Sequence, residues 1–279
     1  MLDQVEKGVR VRRILWLQCS TVGALSAASI ALAQGGPAVA NPADIDWQPI
    51  AAPGGAFGIA RTETTVAQFR RFAEATQLTT AAERRGGGEV YEAGWVKKAG
   101  WTWRSPFGGD KAAASDEPAV HVTYDEAQAF CRWAGGRLPS DAQWLEAAYT
   151  ERRAAPPASF VAGRTYTFPT GDSATGAQCL GDCGPAAKAR AVNHGARLWR
   201  GDGHARAGST PAGVNGLHDM GANVWEWVDE PSGASGNAER RTRGGSWWYG
   251  AAQMRADHLQ SKPGDTAVVY IGFRCVRQP

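Results

Sequence analysis

The 279-residue chain has little net charge, few histidines and methionines, and no second closely spaced cysteine pair beside Cys179 and Cys183. Each shortage excludes something. A formal net charge of +3, from 30 basic and 27 acidic residues, leaves no electrostatic footprint for nucleic acid or an acidic membrane surface. Cys179 and Cys183 stand as C-x3-C with no second pair, which is poor for a metal site against the alternative of disulfides. No Pro/Ser linker and no internal repeat divides the chain, so one domain is expected over residues 41–279.

What the chain does have is glycine (35 residues) and tryptophan (12 residues). Sparse periodicity with many of both predicts few regular elements and long loops pinned by aromatic anchors. At the N-terminus, Lys7, Arg10, Arg12 and Arg13 precede an apolar stretch from Ile14 to Ala33. Ala31-Leu32-Ala33 and Ala38-Val39-Ala40 both fit a small-x-small cleavage pattern, so residues 1–40 read as a secretory signal with a short linker. The alternative is a retained membrane anchor. Gln18, Ser20, Thr21 and Ser26 interrupt the run and weaken it as a spanning helix. A periplasmic or secreted address follows, with no stable membrane insertion after cleavage. Losing residues 1–33 leaves 26 basic and 25 acidic residues. Cys19 leaves with the signal, and the four remaining cysteines make an even count that an oxidising compartment would pair.

Three helices are legible. One is predicted from about Thr65 to Ala75, with Val66, Phe69 and Phe72 on one stripe. A second starts at Thr123 with Glu126 three residues on, a capping box, and stops at Gly135-Gly136. A third repeats the device with Ser140 and Gln143, turning Trp144, Ala147 and Ala148 inward. Strands are predicted around Ala119–Val122, Arg241–Trp247 and Val268–Val276, and Thr150–Pro211 reads as a long loop.

Seven segments in order then carry a resemblance. They are Arg61-Thr62-Glu63-Thr64-Thr65 and Trp103-Arg104-Ser105-Pro106; Pro118-Ala119-Val120-His121-Val122-Thr123 and Arg137-Leu138-Pro139-Ser140; Leu217 to Val228 with Arg243-Gly244-Gly245-Ser246-Trp247-Trp248; and Gly272-Phe273-Arg274-Cys275. Together they resemble the formylglycine-generating enzymes, or sulfatase-modifying factors, across roughly residues 45–277. The resemblance implies an α+β, C-type-lectin-like fold. It also implies a Cys131–Cys275 disulfide, which leaves Cys179 and Cys183 to pair with each other.

The resemblance further implies calcium. Asp219, Ala222, Val224 and Glu226 match a set of side-chain and carbonyl oxygens, and oxygen-only donors on an irregular turn suit this hard cation. The alternative is a solvated acidic turn. A second ion site is implied at Asn193-His194 and Asp202-Gly203-His204, with a shorter intervening loop than in the family. In catalytic relatives two cysteines hold copper. Here Tyr249 and Met254 stand in those places, and neither a phenol nor a lone thioether reproduces a two-thiolate copper(I) site, so no copper is expected. The matching cleft would be lined by Trp225, Ser246, Trp247, Trp248, Tyr249, Arg255, Asp257 and His258. Asp257 and His258 invite an acid–base role, although neighbours on a strand point to opposite faces. The tryptophans read more readily as core than as a cofactor platform.

Three functions compete. One is a maturation factor, oxidoreductase-like, acting on a secreted peptide or small-molecule precursor; cysteine-lacking relatives of the pyoverdine-maturation type are similar in this respect. Another is a non-catalytic, calcium-stabilised binding or assembly module. The third, an ergothioneine-type iron oxygenase sharing this domain, needs an added histidine-bearing helical domain and is set aside.

Overall fold

A computed structural model describes residues 41–230 and 239–279. The expected signal segment, with its basic start and both cleavage motifs, lies outside the described residues. Among the described residues, five α-helices and nine short strands are joined by long irregular stretches, giving the expected α+β architecture.

The helices begin where side chains can satisfy the free N–H groups of a first turn. Helix α1 (Val66–Thr76) is capped by Thr65 with Gln68 reaching back. Helix α3 (Tyr124–Trp133) uses Thr123 and Glu126, and α4 (Asp141–Tyr149) uses Ser140 and Gln143. The same device starts a short helix that periodicity did not reveal, α2 (Ala81–Arg84), through Thr80 and Glu83. Four residues are too few to show a stripe. Glu126 also accepts from the Ala81 N–H (2.6 Å), so one buried carboxylate serves the starts of α2 and α3 together. Helices α1 and α3 pack through Phe69, Phe72 and Phe130, and Phe273 closes the cluster at 5.3 Å from Phe130.

Strands β1 (Trp47–Ile50), β2 (Phe57–Ala60) and β9 (Val276–Arg277) form an antiparallel sheet. Strands β3 (Glu89–Glu92) and β4 (Gly94–Lys97) make a hairpin. A four-stranded sheet has the order β7-β6-β5-β8, from β5 (Trp225–Trp227), β6 (Glu239–Arg243), β7 (Gln260–Pro263) and β8 (Ile271–Gly272). In it β5 and β8 run parallel.

Three strand expectations need correction. Ala119–Val122 is buried but is not a strand, because His121 takes φ 57° and bends the chain so that its N–H bonds the Val268 carbonyl (3.1 Å). The predicted Arg241–Trp247 strand ends at Arg243, where Gly244 (φ 97°) and Gly245 (φ 82°) turn the chain. Val268–Val276 is divided: β8 joins one sheet and β9 the other, and Phe273-Arg274-Cys275 spans the step between them. The long stretch from Thr150 to Pro211 holds only one short helix, α5 (Ala186–Arg190), and isolated bridges.

Both disulfides are formed. Cys131–Cys275 ties α3 to the step between sheets across 144 residues, and Cys179–Cys183 closes a loop of sequence separation 4. Loop-closure entropy assigns the long link about 5 kcal/mol and the short one about 2 kcal/mol. Urea unfolding of the two paired Cys→Ala variants should therefore show the larger loss for Cys131/Cys275. The reverse order would contradict this assignment.

Candidate functional site: an aromatic pocket over a buried ion network

The turn from Leu217 to Val228 is built on residues held left-handed: Asp219 (φ 58°), Ala222 (φ 62°) and Asn223 (φ 50°). Strain of this kind persists only where neighbours over-determine it. The Asp219 carboxylate accepts from the Gly208 N–H and the Thr210 hydroxyl, both at 2.6 Å. Asn223 accepts from the Ala205 N–H (2.8 Å) and donates to Glu63 (2.6 Å), whose other oxygen accepts from the Val224 N–H (3.0 Å). Glu226 accepts from the Trp144 indole (2.8 Å) and from two nitrogens of Arg274 (2.7 to 2.9 Å).

Glu63, Asp219 and Glu226 are all buried, and the buried cation beside them is Arg274. Burial first, then repulsion from Asp219 and Glu226, pushes the Glu63 carboxyl well above its ordinary range. Three buried carboxylates beside one buried guanidinium leave an excess of acid in this network. Both Asp219 oxygens are taken up by the Gly208 N–H and the Thr210 hydroxyl, and Glu226 is committed to Arg274 and Trp144.

The second expected ion site is arranged differently. The ends of its loop meet, with the Val192 N–H on the His204 carbonyl (2.7 Å). The Asn193 side chain turns back onto the Gly195 N–H (3.0 Å), and Asp202 is exposed. His194 and His204 do come together, but onto Glu117, each with Nε2 at 2.9 Å from its carboxylate. Among the described residues, three ligand atoms of His, Cys, Asp or Glu converge only at Cys179, Asp182 and Cys183, where both sulfurs are in a disulfide. These histidines thus clamp a loop around a buried acid from a distant segment.

Behind that clamp stands an aromatic cluster of the core. Phe107 packs on His204 (5.0 Å) and on Trp247 (6.1 Å). Trp225 lies between Tyr249 (5.8 Å, edge-on) and His258 (5.8 Å, stacked), and Tyr270 lies between Trp248 (5.5 Å, stacked) and Tyr249 (6.0 Å). The guanidinium of Arg200 sits over both Trp248 and Tyr249. Trp225 Nε1, Trp247 Nε1 and His258 Nε2 are buried without a hydrogen-bond partner, while the equally buried Trp227 indole donates to the Val122 carbonyl. The Tyr270 hydroxyl has no partner at hydrogen-bonding geometry either; burial and the nearby Tyr249 phenol push its pKa up, so it stays protonated. An unsatisfied buried polar atom costs roughly 1–3 kcal/mol, and four such atoms fall in this one aromatic cluster.

Ser246 belongs to the wall, its oxygen accepting from the Trp248 N–H (3.3 Å). Other expected lining residues do not. Asp257 and Arg255 pair with each other at the surface, so the Asp257/His258 acid–base pair is not assembled. Met254 is buried in a separate cluster, its sulfur 3.8 Å from Cys183 and its carbonyl bonded by the Tyr149 hydroxyl. Glu63, Glu117, Arg200 and Tyr270 were not visible as site residues, because each arrives from a separate segment with no local pattern.

Burial alone would raise the Glu117 pKa. The hydrogen bond and charge of His204, the Ala114 N–H and His194 outweigh it and bring it to about 2. A depressed carboxylate stabilises above its unfolded value of 4.5, and that contribution is lost as pH falls through 4.5 towards 2. Glu117→Gln should lower stability at neutral pH by up to about 3 kcal/mol and flatten the acid limb in that window. Denaturant midpoints measured from pH 7 to pH 2 check this; parallel curves for both proteins would contradict it.

Residues 26–279 match the family model described as a sulfatase-modifying factor enzyme 1-like domain. The chain is 30% identical to the formylglycine-generating enzyme of Streptomyces coelicolor over 267 residues, covering 78% of this chain and 77% of that one. It is also 30% identical to a hercynine oxygenase of Mycolicibacterium thermoresistibile over 227 residues, covering 72% of this chain and 46% of that protein. Among solved structures, PvdO from Pseudomonas aeruginosa superposes with a TM-score of 0.53 at 20% identity, covering 80% of this chain and 81% of that one, a likeness of fold. With its ordered motifs, its C-type-lectin-like α+β fold and this match over most of its length, the chain belongs to the formylglycine-generating enzyme, or sulfatase-modifying factor, family.

Proposed function

We propose that this protein is an exported modification factor of the oxidoreductase type, acting on a secreted peptide or small-molecule precursor in the pocket around Trp225. The observation that carries this reading is the set of unpartnered buried groups, Trp225 Nε1, Trp247 Nε1, His258 Nε2 and the Tyr270 hydroxyl, gathered beside Tyr249. Relatives named for formylglycine generation and for hercynine oxygenation support an oxidative role. In this pocket the chain's own groups bind and orient: indole N–H groups and a protonated Tyr270 donate hydrogen bonds, and the buried rings exclude water.

A two-thiolate copper(I) centre does not fit these residues. Tyr249 brings a phenol, and the Met254 thioether faces the Cys179–Cys183 disulfide. Purified protein given stoichiometric copper(I) and a cysteine-containing sulfatase-type peptide should make no aldehyde above background; aldehyde formation would overturn this part of the reading.

Calcium is proposed as structural, held by Asp219 and the carbonyls of Ala222 and Val224, with Glu226 left to its pairing with Arg274 and Trp144. Its charge would offset the buried excess around Glu63. A ligand binding only the native state stabilises by about 2.7 kcal/mol at a hundredfold excess over its Kd. A chelator should therefore lower the melting midpoint of the wild type, and Asp219→Ala, which removes the oxygen donor, should remove that response. A midpoint indifferent to chelator would refute it.

A second reading has its own support. Trp225, Trp247 and Trp248 are at most 1% exposed, as core residues of a non-catalytic binding module would be. Export is likewise a proposal, checked by fractionation: the mature chain should start after Ala33 or Ala40, outside the cytoplasm. Among the described residues no helix is long and apolar enough to cross a membrane.

A further inference from the structure

We propose that Arg200 and Trp199 make this pocket selective for a flat aromatic ring bearing a carboxylate. The inference rests on the reading of the aromatic pocket as the functional site and adds the class of its ligand. The Arg200 guanidinium lies 5.9 Å from the Trp248 ring and 5.7 Å from the Tyr249 ring. It has no carboxylate within 4.0 Å among the described residues, whereas Arg241, Arg243 and Arg255 are each paired with an acid. Residues 231–238, Pro-Ser-Gly-Ala-Ser-Gly-Asn-Ala, contain no acid that could serve it. The lining residues Trp225, Trp248, Tyr249 and Tyr270 carry no carboxylate, and Asp257 faces solvent.

The position of this cation is built in. Gly201 has φ 70°, and a Cβ there would stand 2.8 Å from Cε3 of Trp247 and 3.0 Å from its carbonyl oxygen. That close approach needs glycine, and it seats the preceding residue on the pocket rim. On the other side Trp199 is 56% exposed and tilted against Trp248 at 6.2 Å, so an indole face stands open beside the guanidinium. Arginine pairs with carboxylates in a planar fork, and exposed aromatic faces take flat rings by offset stacking. An aliphatic acid would leave the Trp199 face unused. A neutral ring would leave the cation unpaired. An aromatic acid satisfies both.

Calorimetric titration with 1-naphthoate, its neutral isostere 1-naphthamide, and cyclohexanecarboxylate tests this directly. Naphthoate should bind saturably and at least tenfold more tightly than either of the others. Arg200→Gln should erase the difference between acid and amide, Arg200→Lys should keep part of it, and Trp199→Ala should weaken both aromatic probes. These residues are on the surface of a loop, and unchanged melting midpoints would show that the variants fold. Acid and amide binding equally, or Arg200→Gln leaving their ratio intact, would overturn the carboxylate site while the aromatic pocket stands. Failure of both aromatic probes to bind saturably would bring down the pocket reading as well.

Discussion

The fold turns on one buried cation. Arg274 is fully buried on the step between the two main sheets, and it pairs with Glu226 through two nitrogens. Its remaining donors reach the carbonyls of Ala60, Arg61 and His218. One guanidinium therefore joins the end of β2, the start of the Leu217–Val228 turn, and β5. Removing one partner of a buried pair leaves the other charge uncompensated, at a cost of about 3–5 kcal/mol. Here the cost falls on more than one charge, because Glu63 and Asp219 lie in the same network. The Cys131–Cys275 bond acts on the same step, fixing the residue after Arg274 to α3.

From that anchor the pocket follows by a short chain of contacts. Glu226 lies on β5 between Trp225 and Trp227, so fixing its carboxylate fixes the faces of both rings. The segment after Gly245 is then held from behind by the small disulfide loop: the Leu180 N–H bonds the Tyr249 carbonyl, Asp182 accepts from the Ala251 N–H, and Cys183 touches the Met254 sulfur. In this protein a disulfide braces the stretch where catalytic relatives are expected to carry two reactive cysteines. The brace turns Met254 inward and leaves Tyr249 on the pocket, which explains how one segment contributes to two clusters.

Much of the frame was legible in the sequence because it is local. Thr65, Thr123 and Ser140 announce their helices through a residue three positions on, and the ordered motifs carry the fold. Thr80 and Glu83 use the same device, but a four-residue helix leaves no periodic stripe to confirm it. The strand expected at Ala119–Val122 failed because alternation says nothing of His121 adopting a positive φ. The site was less legible for a related reason. Glu117 lies 77 and 87 residues from the histidines it holds, and Arg200 reaches its rings across a loop without pattern. Histidines read as ligands in sequence are, in space, ends of a clamp.

The central claim is that the pocket around Trp225 modifies an exported precursor. Mass spectrometry of the exported peptides and small molecules is its most direct test, comparing the parent strain, a deletion strain, and the deletion carrying either the wild-type gene or a Trp225→Ala variant. The account predicts a product, differing from its precursor by two hydrogens or one oxygen, that vanishes on deletion, returns with the wild type and stays absent with the variant while the protein itself persists. Indistinguishable profiles, or full restoration by Trp225→Ala, would contradict it and leave the binding module as the better description.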